Sequence, residues 1–182
     1  NHSLASAKAL YEEEKAKFGP GSENTLKSRY ALVEVVNLYD EALEFEPIHR
    51  VLFNVDPEAL LEAFRQRYPS TVDGKSEGQV IRCVYDGFDG FITVTEPEAQ
   101  LEVGTHQSFL DGYIKESGAG IDYIHGDDIA VELGSKPGSM AFLLPAMDKG
   151  DLFRSVIKDG ALPRKTFSMG HAQDKRYCLD CR

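Results

Sequence analysis

Only three of the 182 residues are cysteine, an odd number that suits a reducing compartment better than a disulfide framework. A chain of this length buries roughly 70% of the surface its unfolded form exposes, so a core forms without disulfide or metal staples. Positive charge is also in short supply. Twenty lysines and arginines stand against thirty aspartates and glutamates, a formal charge of -10 at pH 7. That balance repels a polyphosphate backbone and argues against a nucleic-acid partner. No run approaches the roughly eighteen consecutive apolar residues of a membrane span, and the first residues lack a charged-then-apolar secretory pattern. A cytoplasmic protein without a membrane partner is expected. Internal repeats, low-complexity tracts and an obvious linker are missing too, since the most polar stretch, residues 70–78, is short enough for a surface loop.

What is present is an ordinary globular composition, 42% hydrophobic and 27% charged. Leu4, Ala7, Tyr11 and Phe18 recur at helical spacing, and the breaker cluster Phe18-Gly19-Pro20-Gly21-Ser22 ends that helix. The helix starts at once, with neither an initiator Met nor a strand before it, so the chain reads as a carboxy-terminal fragment of a larger protein. Residues 29–39 are β-branched and apolar on both alternating faces, which predicts a central strand buried from two sides. Phe45 to Phe53 reads as a second strand entered through Pro47. Asp56-Pro57-Glu58 then caps a helix to about Tyr68 with Leu60, Leu61, Phe64 and Tyr68 on one side.

Gln79 to Tyr85 and Phe88 to Thr95 flank Asp86-Gly87, which predicts an antiparallel hairpin. Pro97 to Val103 reads as an edge strand, His106 to Ser117 as a helix and Ile121 to His125 as extended chain. Gly126-Asp127-Asp128 opens a helix to about Gly134, and Met140 to Pro145 is an apolar strand. A last helix starts within residues 148–151 and turns Leu152, Phe153, Val156 and Ile157 inward. Strands and helices mix without strict alternation. The expected fold is therefore one α+β domain over residues 1–182, with packed helices on a mixed, partly antiparallel sheet.

Three places offer cations or imidazoles to an anion. Asn1-His2-Ser3 sits at a helix amino terminus, where free N–H groups favour phosphate or carboxylate, although Asn and Ser are also ordinary caps there. His49 and Arg50 together present several donors that suit a phosphate or carboxylate. Neighbours on a strand point to opposite faces, so the same pair also reads as structural. Arg164 and Lys165 lie in a short loop, residues 163–170, that serves either as an anion site or as a solvated basic turn. Asp127 and Asp128, near His125, read as metal ligands or as helix caps. Cys178 and Cys181 are a single pair that cannot supply four zinc ligands, and Cys83 alternates with apolar residues as a core position does. No order of Ser, His and Asp marks a nucleophile elbow.

The run from Ala141 to Phe153, followed by residues 162–170 and Lys175-Arg176-Tyr177, closely resembles the end of the domain of unknown function 1015 family. Residues 1–8 and Glu46-Pro47-Ile48-His49-Arg50 are similar to that family's internal motifs, in the same order. The family's helix start is similar to a motif by which ParB-like, sulfiredoxin-like and free-serine-kinase proteins hold nucleotide phosphates, reduced here to Asn1-His2-Ser3. This resemblance implies a parent protein that binds a nucleotide or phosphorylated metabolite and acts as a small-molecule phosphotransferase, with Mg²⁺ as its usual companion. His2, Ser3, His49, Arg50, Arg164 and Lys165 are the expected phosphate ligands, and the fragment alone is expected to be inactive. The alternative is a non-catalytic ligand-binding or assembly domain.

Overall fold

The structure is a computed structural model that describes residues 2–31, 33 and 35–170, the side chains of His2 and Ser3 excepted. The chain divides into two compact units, residues 1–38 and 39–182. The first unit holds helix α1 (His2–Phe18) and two 3-10 turns, Ser22–Asn24 and Lys27–Arg29. Among the described residues of 29–39 the expected central strand does not form. Tyr30, Val33, Val36 and Tyr39 are exposed and Val35 is 92% exposed on irregular backbone. A strand needs a neighbour to satisfy its N–H and C=O groups, and the first unit has none among its described residues.

The second unit is built in the order β1 (Phe45–Phe53), α2 (Pro57–Arg67), β2 (Thr71–Asp73), β3 (Gln79–Tyr85), β4 (Phe88–Val94), α3 (Glu102–Ser117), β5 (Gly120–His125), α4 (Asp127–Gly134), β6 (Ser139–Leu143), α5 (Asp151–Asp159) and β7 (Phe167–Met169). The strands form one sheet in the order β2-β4-β3-β6-β1-β5, with β7 on the entry end of β1. Every ladder among the described residues is antiparallel. The α+β class holds.

Local chemistry sets several of these elements. The Asp56 carboxylate accepts the N–H groups of Glu58 and Ala59 at 3.1 and 3.3 Å, and Pro57 occupies the first turn of α2, where its missing N–H costs nothing. Asp86 and Gly87 both take positive φ, 40° and 80°, the geometry that lets a two-residue turn follow the twist of β3 and β4. Both faces of the sheet are covered. On one, Leu52, Ile81, Met140 and Phe142 pack against Leu60, Leu61 and Phe64 of α2 and Phe109 and Leu110 of α3. The Tyr68 hydroxyl ties the two helices by donating to the Thr105 carbonyl at 2.9 Å. On the other, Val51, Val84, Ala141 and Leu143 pack against Ala130 of α4.

Three further expectations change. Residues 97–103 are bends and the start of α3 rather than an edge strand, because Pro97 lacks an N–H and the Gln100 N–H goes to the Asp159 carboxylate at 2.6 Å. The orientation of α5 also differs from the expectation. Ser155, four residues before Asp159, is drawn inward, while Phe153 and Ile157, the latter 85% exposed, face out. Within the stretch read as a polar loop, residues 71–73 form the edge strand β2 on β4.

α4 lies so close to the sheet that only glycine fits at its end. A Cβ on Gly134 would stand 2.7 Å from the Ala141 nitrogen and 2.9 Å from the Val84 oxygen, both backbone atoms that cannot swing away. Gly134→Ala is expected to destabilise the second unit by about 1–3 kcal/mol. Urea unfolding checks this, and an unchanged midpoint would show that α4 has room to lift.

Candidate functional site

The expected ligands His49 and Arg50 are consecutive in β1 and both are buried, but they face opposite sides of the sheet. Arg50 enters the face covered by α3 and is fully buried. Its Nε donates to Gln107 Oε1 at 3.1 Å, one amino group donates to the Ile48 carbonyl, and the other donates to the Arg164 carbonyl at 3.2 Å. All three acceptors are neutral. Burial is the main force on its pKa, pushing it down to about 10, which leaves the guanidinium charged at neutral pH.

Arg164 joins this network from the loop before β7. Its guanidinium donates to the Tyr123 hydroxyl at 2.9 Å and to Asp111 Oδ1 at 2.8 Å, and Gln107 donates to the same Asp111 oxygen at 2.8 Å. The guanidiniums of Arg50 and Arg164 stand 5.3 and 5.9 Å from the Tyr123 ring centre, within cation–π range. Lys165 follows with a left-handed φ of 57° and is exposed. Arg50 and Arg164 therefore come together, with all three nitrogens of Arg50 and the Nε and one amino group of Arg164 directed at protein acceptors.

His49 looks to the other face. The Leu144 N–H donates to its Nδ1 at 3.2 Å, so the ring proton sits on Nε2 and is donated to Asp127 Oδ1 at 2.9 Å. Burial depresses the His49 pKa, with the Asp127 bond opposing it. His49 and Arg164 share no partner. His2 and Ser3 belong to the first unit, and their side chains lie outside the described residues, as do Cys178 and Cys181.

Beside the His49–Asp127 pair a cleft of about 430 Å³ opens, lined by Lys75, Arg82, Phe91, Glu102, Asp127 and Leu144 with flanking apolar residues. This size lies within the roughly 300–1,000 Å³ of small-molecule sites. Arg82 is held by a bidentate pair with Asp89 at 2.8 and 2.6 Å. Lys75 lies over the Phe91 ring at 4.1 Å and has no carboxylate partner among the described residues. Burial raises the Glu102 pKa. None of Lys75, Arg82 or Glu102 stands out in the sequence, because the β3–β4 hairpin and α3 bring them together from distant positions. Asp127 was legible only as a cap or metal ligand. No three His, Cys, Asp or Glu side chains converge as metal ligands among the described residues.

Residues 1–120 match the family described as Protein of unknown function (DUF1015). The chain belongs to this family. The match takes in β1, the β3–β4 hairpin and α3, whereas the runs within 141–177 that resemble the end of the family lie beyond it. No curated protein and no solved structure matches the DUF1015 chain. No helix among its described residues is long and apolar enough to cross a membrane.

The buried histidines of this DUF1015 chain make its stability sensitive to acid. His106 of α3 is fully buried beside Phe142, neither ring nitrogen has a partner, and burial, with Arg50 adding to it, holds its pKa well below the usual 6.5. His49 shifts the same way. Below pH 6.5 the unfolded chain takes up protons that the folded chain refuses. Stability is full above that pH and falls as pH drops toward the folded-state values, by up to about 1.4 kcal/mol per pH unit for each histidine. His106→Leu removes an unpartnered polar ring and is expected to flatten the slope in denaturation measured from pH 7.5 to 5; an unaltered slope would clear His106.

Proposed function

We propose that the second unit is a binding module for a small phosphorylated metabolite, seated in the cleft beside α4 with its phosphate on Lys75 and Arg82. The observation that carries this reading is the cleft itself: Lys75 and Arg82 line it together with the carboxylates of Glu102 and Asp127, and Lys75 lacks a carboxylate partner among the described residues. Arg82 is pre-oriented by Asp89 and Lys75 adds a compact point charge, a combination suited to phosphate oxygens. Arg50 is a weaker candidate than expected because it is fully buried and bonded to Gln107 and two backbone carbonyls, and Arg164, bonded to Tyr123 and Asp111, is not among the residues that line this cleft. A nucleotide is the larger form of the same ligand. Phosphoryl transfer in a longer parent protein would draw on the same positioning and charge neutralisation.

Isothermal titration of the whole chain with inorganic phosphate, ethyl phosphate and ADP tests the proposal. Lys75→Ala should weaken phosphate binding by about tenfold, the value of one charge-assisted hydrogen bond near 1.5 kcal/mol. Arg164→Ala should leave it unchanged. No heat with any of the three compounds, or loss of binding on Arg164→Ala alone, would overturn the assignment.

A further inference from the structure

The cleft carries charge of both signs. Lys75 and Arg82 line it together with the carboxylates of Asp127 and Glu102. Asp127 is presented in an unusual way: its side chain is 64% exposed, yet the imidazole that holds it is only 2% exposed. The holder has no freedom of its own, because the Leu144 N–H fixes Nδ1 as an acceptor and Nε2 must then donate to Asp127 Oδ1. Leu144 is itself in the cleft wall. One carboxylate oxygen is thus pinned by a buried, tautomer-locked donor. His49 on β1, the chain leaving β6 and the first turn of α4 act as one rigid support for the other oxygen.

Resting on the phosphate reading above, the geometry points to Asp127 as the group that receives a protonated amine at the far end of the same ligand, with His49 as its positioning residue. The substrate class is then a small amino-phosphate, a zwitterion whose phosphate meets Lys75 and Arg82 and whose ammonium meets Asp127. The first turn of α4 keeps the Asp127 carboxylate in favourable surroundings for an anion. A ligand that supplies its own cation offsets the repulsion between its phosphate and the two carboxylates that line the cleft. His49 makes no contact with the ligand in this arrangement and acts through Asp127 alone.

The test compares 2-aminoethyl phosphate with ethyl phosphate, which differ only by the amine, in calorimetric titrations of the whole chain. The amino compound should bind about tenfold more tightly. Asp127→Asn should erase that preference, and because it removes a negative charge from the cleft it should leave ethyl phosphate binding no weaker than in the parent chain. His49→Leu should reduce the preference, whereas His49→Gln, which keeps an N–H donor at the same reach, should retain much of it; circular dichroism confirms that each variant is folded. A purely structural role for His49 would make the two variants equivalent and would overturn its part. Equal affinity for the two phosphates sinks the amine site while leaving the phosphate module standing. Failure of both to bind removes the phosphate reading and this inference together.

Discussion

The alternation of side chains along β1 governs the second unit. This strand pairs with β5, β6 and β7, and both of its faces are covered, so consecutive residues serve two separate layers. Arg50 and Leu52 enter the layer with α2 and α3, while His49 and Val51 enter the layer with α4. A pair that looks like one polar clamp in the sequence becomes two independent polar anchors, one on each side of the sheet.

Each anchor solves a burial problem by its own means. The Arg50 guanidinium has a charge to satisfy without a carboxylate in direct contact, and it recruits Gln107 and two carbonyls, with Tyr123 and Asp111 as an outer ring shared with Arg164. That network fastens the loop before β7 to the sheet, and the stacked rings of Phe45 and Phe167, 4.1 Å apart, close the same edge. His49 solves its problem by remaining neutral and bonding through both nitrogens. His106 solves nothing: its two nitrogens are buried without partners.

The polar residues that remain available for chemistry lie where the two layers meet solvent beside α4. Lys75 and Arg82 come from the hairpin side, Glu102 from the start of α3 and Asp127 from the start of α4. Their spacing in the chain carries no motif, and the rigid elements behind them fix their arrangement.

Residue pattern alone was enough for the elements whose signals are local. The Asp56-Pro57 cap, the Asp86-Gly87 turn, the apolar stripe of α2 and the core position of Cys83 each depend on a few neighbouring atoms, and the family resemblance followed from runs of residues in order. Tertiary structure decided everything that requires a partner from elsewhere. The described residues of 29–39 have the composition of a buried strand but stay exposed on irregular backbone, α5 turns Phe153 and Ile157 outward, and the cations of the cleft become neighbours only once the sheet is assembled. Propensity and periodicity are short-range properties of a chain, whereas burial and charge pairing are long-range ones, and the function of this protein is written in the second kind.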